Sequence, residues 1–190
     1  MRRRRADILL VERGLSPTRE KARAAIMAGL IWIGEQRVDK PGELLSEDAS
    51  LRVQEESPYV GRGGVKLAHA LDALGVDVRG RVALDVGAST GGFTDCLLQR
   101  GAAKVYALDV GRGQLAWKLR QDPRVVVLEG INAHYPFALP EPADLATLDV
   151  SFIGLEKVVP SVLQHVKAEG CLLCLVKPQF QAGRGQVGKR

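Results

Sequence analysis

Hydrophobic and polar positions change their rhythm near residue 57. Over residues 6–13, apolar Ile8, Leu9 and Val11 share a helical face, and Gly14 closes the segment. Ser16-Pro17-Thr18 opens a second helix, with Thr18 placed as its cap and Glu20-Lys21 in its first turn, and Gly29 ends it. Short strands are expected at 30–33, 36–38 and 51–53. Ser57-Pro58-Tyr59-Val60 reads as a linker, because a proline favours extended backbone before it. Beyond it, Ala68, Leu71 and Leu74, with Leu67 beside them, predict an amphipathic helix. Strands are then expected at 82–86, 105–108, 125–128, 145–148 and 171–176. They alternate with helices after Gly91, through 116–119 and near 158–166. That alternation predicts an α/β fold, a doubly wound and mostly parallel Rossmann-like sheet. The expected organisation is a small α+β unit over 1–56, the linker 57–60, and the α/β domain over 61–190.

One stretch carries the chemistry. Ala83-Leu84-Asp85-Val86-Gly87-Ala88-Ser89-Thr90-Gly91-Gly92-Phe93-Thr94 runs from an apolar strand through a glycine turn into a helix start, and the next strand ends in Asp109. Amides at a helix N-terminus and an acid at the neighbouring strand tip make a nucleotide pocket: the amides hold the polar end, the acid the ribose hydroxyls. A dinucleotide fingerprint needs a bare glycine where this chain has Ser89, whose side chain would crowd a pyrophosphate. S-adenosylmethionine has no pyrophosphate and is preferred to NAD or FAD. Gly87-Ala88-Ser89-Thr90-Gly91 also spells the nucleophile elbow of serine hydrolases, with Asp149 and His165 as conceivable partners. That reading needs strands ahead of the elbow and an oxyanion loop, and only a helix precedes it in its domain.

Composition narrows the partners. The 190 residues are 46% apolar, with a net charge of +5 and an isoelectric point near 9.3, which suits a phosphate-rich partner. Residues 1–40 hold ten Lys/Arg against five Asp/Glu, whereas 41–56 hold one against five. The positive charge therefore gathers on the first two helices, as on a phosphate-binding face. No run of 18 apolar residues exists, and the stretch after Arg2-Arg3-Arg4-Arg5 is too short for a signal peptide, so a cytoplasmic protein is expected. Cys96, Cys171 and Cys174 fit a reducing compartment. Cys171 and Cys174 have C-x-x-C spacing, but on a strand residues three apart face opposite ways, so no metal site is expected. Trp32 and Trp117 are expected to pack between elements, and His134 and His165 are given no role.

The first unit's order, helix–turn–helix followed by Gly29-Leu30-Ile31-Trp32-Ile33-Gly34, a turn with Arg37-Val38 and a late Leu51-Arg52-Val53 strand, resembles the S-four (αL) RNA-binding domain. The resemblance implies that Arg5, Ser16, Arg19, Lys21, Arg23 and Arg37 face RNA, which is read largely through phosphates and 2′-hydroxyls. Five motifs follow in order: Arg62-Gly63-Gly64-Val65-Lys66-Leu67, the 85–94 turn, Asp109-Val110-Gly111-Arg112-Gly113-Gln114-Leu115, Leu148-Asp149-Val150-Ser151-Phe152-Ile153 and Val176-Lys177-Pro178-Gln179-Phe180. Together with the first unit they resemble the TlyA (hemolysin A) family, ribosomal RNA 2′-O-methyltransferases with an FtsJ-like catalytic domain.

That resemblance implies S-adenosylmethionine as cofactor and ribosomal RNA or ribosomal subunits as partner, with methyl going to a cytidine 2′-hydroxyl. It assigns Gly87, Ala88, Ser89, Gly91, Gly92 and Phe93 to the methionine end, Asp109 to the ribose and Asn132 to the adenine side, counts Asp85 among the cofactor-binding residues, and brings Arg62 to the RNA. Of the family's Lys-Asp-Lys-Glu tetrad, Lys66, Asp149 and Lys177 match. A ribose hydroxyl is a poor nucleophile and needs a base or a cation for the developing alkoxide. Lys177 is assigned that task, Lys66 its positioning, and Asp149 the acid near the methyl group. The family's Glu lies on a later strand than Arg190, so an incomplete sheet is expected here. A non-catalytic RNA-binding protein is the alternative; a membrane-lytic one lacks a spanning or long amphipathic segment.

Overall fold

The computed structural model describes residues 2–54 and 57–181. The chain divides into two compact units, residues 1–56 and 57–190. Among the described residues no helix is long and apolar enough to cross a membrane.

The first unit runs β1 (Arg3–Arg5), α1 (Ala6–Glu12), α2 (Arg19–Met27), β2 (Ile31–Ile33), β3 (Gln36–Arg37), β4 (Leu44–Ser46) and β5 (Leu51–Val53). Strand β2 is the centre of an antiparallel β3–β2–β5 sheet, and β1 pairs antiparallel with β4. Strands β1 and β4 were not expected. Leu9, Leu10, Ala22, Ile26, Ile31, Val38 and Leu45 form the core. Thr18 caps α2 as expected, its Oγ1 accepting the Lys21 N–H at 3.2 Å.

Asp7 breaks the apolar pattern of α1 and is fully buried. Its carboxylate accepts two hydrogen bonds from Arg5 (3.0 and 3.1 Å) and one from Arg19 (2.8 Å). The Arg5 guanidinium, helped by Arg19 and opposed by burial, holds the carboxyl down at about 2. Asp7 therefore joins the β1–α1 junction to the start of α2. Asp7→Asn is expected to lower the unfolding free energy by about 1–3 kcal/mol, because it leaves two guanidiniums short of a charged acceptor. Asp7 is more acidic folded than unfolded, so its stabilisation is present above about pH 4 and fades as the pH falls toward 2. Urea denaturation at pH 7 and pH 3 reads both effects; a variant as stable as the parent at pH 7 would exclude this role.

The same contacts show how the residues of the expected RNA face are held. Ser16 is buried and donates its hydroxyl to the Thr18 carbonyl at 3.1 Å, so it does not present that group outward. Arg5 and Arg19 are committed to Asp7, and Arg37 pairs with Asp39 at 2.6 Å. Lys21 and Arg23 are exposed.

The second unit runs α3 (Gly63–Leu74), β6 (Val82–Val86), α4 (Gly92–Gln99), β7 (Lys104–Asp109), α5 (Trp117–Arg120), β8 (Val125–Glu129), β9 (Ala143–Leu148), α6 (Leu155–Leu163), β10 (Val166–Cys174) and α7 (Pro178–Gln181). All five strands are parallel, in the order β10–β9–β6–β7–β8. The central strand β6 is buried on both faces and, Asp85 apart, apolar on both. Leu67, Leu71, Phe93, Leu97 and Leu119 fill one side, and Tyr106, Leu148, Val158 and Val162 the other. The α3 face is Gly64, Leu67 and Leu71; Leu74, expected on it, is exposed. Helix α6 starts three residues earlier than expected, and β10 five residues earlier, with a register shift between Val166 and Cys171. Cys171 and Cys174 join the cores on opposite sides of the sheet.

The expected linker is docked. The Pro58 carbonyl accepts from Gln99 Nε2 at 2.8 Å, the Val60 N–H donates to Asp95 Oδ2 at 2.8 Å, and a side chain at Gly64 would collide with the Tyr59 ring. Segment 58–60 is thus fixed against α4.

Candidate active site

Strand β6 delivers the chain to a turn whose shape depends on backbone freedom. Gly87 has φ +83°, and an added Cβ would lie 2.8 Å from the Asp149 carbonyl oxygen. Gly91 has φ +97°, and there a Cβ would enter the Leu115 and Leu119 side chains. Ser89 adopts φ +49°, a left-handed conformation that costs a non-glycine residue about 1 kcal/mol. Asp109 holds it there: Oδ2 accepts the Ser89 N–H at 2.7 Å, and Oδ1 accepts the Gly111 N–H at 2.7 Å.

The turn's amides are used differently from expectation. The Gly87 and Ala88 N–H groups both donate to the Leu108 carbonyl, at 2.9 and 3.1 Å, and the Ser89 N–H is spent on Asp109. These three amides brace β6 against β7 instead of opening to a ligand. Asp85 is fully buried as well. Its carboxylate accepts from Thr94 Oγ1 at 2.7 Å and from Thr147 Oγ1 at 3.1 Å, joining α4 and β9 to β6. Burial pushes its carboxyl up to about 6 against the pull of these hydrogen bonds. Asp85 and Gly91, both assigned to the ligand from sequence, instead shape the turn from behind.

Two adjoining clefts open at the carboxyl ends of the strands, where ligands bind in open α/β sheets. The first, about 340 Å³, is walled by Val86, Leu108, Ile131, Ala133, Val150 and Ile153, with Asp109 and Asn132 at its edge. The second, about 320 Å³, is polar and lined by Arg62, Lys66, Ser89, Thr90, Asp149 and Lys177. Gly87, Ser89, Asp149 and Ser151 line both. Lys177 Nζ lies 2.5 Å from Asp149 Oδ1 and donates to Ser151 Oγ at 2.7 Å. Asp149 Oδ1 is itself buried, with the Lys177 ammonium as its charged neighbour. Neither cleft contains a histidine, and His165 stacks on Phe137 at 4.2 Å, which removes the serine-hydrolase reading.

Residues 59–190 match the FtsJ-like methyltransferase family, and residues 4–51 match the S4 domain. The chain belongs to the FtsJ-like methyltransferase family. It is 52% identical to YqxC of Bacillus subtilis, over all of this chain and 69% of that protein. It is 48% identical to the Mycobacterium tuberculosis protein named 16S/23S rRNA (cytidine-2′-O)-methyltransferase TlyA, over 98% of this chain and 71% of that one. A solved Streptococcus thermophilus structure carrying a hemolysin designation superposes with a TM-score of 0.70 at 44% identity, over 99% of this chain and 70% of that chain.

Within this FtsJ-like domain, the expected residues Lys66, Asp149, Lys177, Gly87, Ala88, Ser89, Gly92, Phe93, Asp109, Asn132 and Arg62 all line one cleft or the other. Asn132 also caps its own loop, its Oδ1 accepting the His134 N–H at 3.0 Å. Trp117, expected to pack between elements, is 74% exposed because α5 is a single turn held by Leu115 and Leu119. Three residues were given no role from sequence. Ser151 positions Lys177, and Gln114 accepts the Ser89 hydroxyl at 3.3 Å beside Asp109. Phe152, at φ +64° and 91% exposed, forms a wall of the first cleft. An exposed aromatic in a left-handed conformation has no hydrophobic periodicity, so only the motif around it could have drawn attention.

Proposed function

We propose that this protein transfers methyl from S-adenosylmethionine to a ribose 2′-hydroxyl of ribosomal RNA, at a cytidine. The supporting observation is the junction of the two clefts: an apolar one ending in Asp109, and a cationic one holding Lys66, Lys177 and Asp149. The first suits an adenosyl group, with apolar walls for the ring and a carboxylate for the ribose diol. Gly87 leaves no room for a side chain at the junction. When bound, the cofactor supplies an electrophilic methyl on a sulfonium. The chain's own residues hold the 2′-oxygen and take its proton. An ammonium has three donors, and Lys177 uses one on Ser151 while Asp149 faces its charge; a donor is left for the developing alkoxide. Asp149 accepts the departing proton; Lys66 shares the polar cleft with Lys177 as its positioning partner, and Arg62 on the same cleft faces the RNA. The curated Mycobacterium tuberculosis relative carries this activity in its name, which supports cytidine as target.

The decisive experiment compares ribosomal RNA with the same RNA carrying 2′-deoxycytidine at the modified position. Transfer of labelled methyl is expected on the first and none on the second. Methylation of the deoxy substrate would mean a base atom is the acceptor.

The S4 domain supports RNA affinity separate from cofactor affinity. With Arg5 and Arg19 held by Asp7, the freer cations are Lys21 and Arg23. Their double alanine variant is expected to reduce the slope of log affinity against log salt by about one to two, since each phosphate contact releases close to one counterion. An unchanged slope would move the RNA face elsewhere; cofactor binding should stay as in the parent.

A further inference from the structure

Among the described residues of the first unit, Asp7 is the only buried carboxylate. An apolar side chain in such a place usually stabilises a fold at least as well as a buried ion group, so this charge asks for a second reason. Arg5 Nη2 and Arg19 Nε both donate to the same oxygen, Oδ2, at 3.1 and 2.8 Å, and Arg5 Nε donates to Oδ1 at 3.0 Å. One carboxylate thus holds two guanidiniums side by side against their mutual repulsion. Asp7 is itself fixed, its N–H donating to the Pro41 carbonyl at 3.1 Å. The Arg5 guanidinium also lies on Gly42, where a Cβ would stand 3.2 Å from Nη1. Both arginine side chains stay about half exposed, at 43% and 54%. Arg5 spends two of its five N–H donors on Asp7 and Arg19 one of its five, so most of them are left.

We infer that Asp7 is a positioning residue for RNA, setting Arg5 and Arg19 as a preformed seat for one backbone phosphate. The inference rests on the ribosomal RNA reading for its partner. Charge and shape select the occupant. Two guanidiniums and one carboxylate carry a net +1, and a phosphodiester brings the single negative charge that balances it. Its two non-bridging oxygens accept from neighbouring forks, an arrangement that guanidiniums favour and ammoniums cannot copy. An arginine free in solvent must be ordered when RNA arrives, which costs rotamer entropy; here folding has already ordered both. Arg5 and Arg19 therefore belong to the RNA face because they are held, and Lys21 and Arg23 on α2 supply further charge.

The sign of one effect tests this. Asp7→Asn removes a negative charge from a basic face, so electrostatics alone predicts tighter RNA binding; loss of the seat predicts weaker binding. Fluorescence anisotropy with a ribosomal RNA fragment is expected to show an affinity about tenfold lower for Asp7→Asn than for the parent. The slope of log affinity against log salt should be no smaller, because both arginines are still present. KM for the RNA should rise by a similar factor, with kcat at saturating RNA within about twofold of the parent. Arg19→Lys keeps the charge without the fork; it should lose several-fold in affinity at an unchanged slope, and it serves if Asp7→Asn does not fold. In an Arg5→Ala/Arg19→Ala background, Asp7→Asn should change affinity by less than about twofold. Equal or tighter binding by Asp7→Asn would overturn the inference, as would Arg19→Lys matching the parent. So would a full loss persisting in the double-alanine background, since Asp7 would then act through the fold and not through the arginines. A parent that does not bind the RNA would defeat the RNA reading and the seat with it. Absence of methyl transfer, with the anisotropy differences intact, would defeat the methyl-transfer reading and leave the seat standing.

Discussion

Lys177→Ala is expected to lower methyl transfer by about 10²–10⁴-fold while leaving S-adenosylhomocysteine and RNA affinities within a few-fold of the parent. The size follows from what the ammonium does. On the proposed mechanism it donates to the reacting oxygen from a partly enclosed cleft, already held by Asp149 and Ser151, where a charge-assisted hydrogen bond is strong and needs little reorganisation. Its neighbours do not replace it: Ser151 is neutral, and Asp149 has the wrong sign for an alkoxide. The retained affinities follow because Lys177 itself lines only the polar cleft and not the apolar one, and the S4 domain has its own cations. Lys177→Arg should not restore the rate. A guanidinium is planar and bulkier, pairs with carboxylates through a fork, and would draw Asp149 into a bidentate contact. Single-turnover assays with saturating cofactor separate chemistry from binding. Transfer within fivefold of the parent in Lys177→Ala would remove Lys177 from the reaction.

Much of the architecture was legible because it rests on periodicities that a sequence displays openly. The alternation of apolar strands and helical faces after residue 60 gives the parallel sheet, and the glycine turn with Asp109 at the next strand tip locates the clefts. What escaped notice depends on tertiary partners. Strand β1 is three arginines, with no alternation to read; its pairing with β4 supplies its extended form. Asp7 looks like a solvated helix residue until Arg5 and Arg19 converge on it. The amides of Gly87, Ala88 and Ser89 resemble a ligand cradle in sequence, but the neighbouring strand consumes them. Asp85 likewise reads as a site carboxylate, yet its oxygens face Thr94 and Thr147 within the core. A motif names residues near a site; which of them touch a ligand depends on hydrogen-bond partners far away in sequence.

Asp109→Ala is expected to weaken S-adenosylhomocysteine binding by about 10–300-fold, the larger part of which is a charged hydrogen-bond acceptor for the ribose, worth roughly 1.5–3 kcal/mol. The structure adds a second cause. Asp109 also holds the Ser89 and Gly111 amides, so its removal frees the left-handed conformation at Ser89 and the loop that carries Gln114. Two substitutions separate these contributions. Asp109→Asn keeps one oxygen acceptor but exchanges the other for a donor facing an amide; it should recover little. Ser89→Gly relieves the left-handed strain without touching the carboxylate, and its affinity should stay within a few-fold of the parent. Isothermal titration with S-adenosylhomocysteine and with NAD reads the series. Measurable NAD binding by the parent, without binding of the methyl-donor product, would refute the pocket assignment. An Asp109→Ala protein that binds S-adenosylhomocysteine as tightly as the parent would leave the ribose to Gln114 or Asn132, two amide side chains that line the first cleft with Asp109.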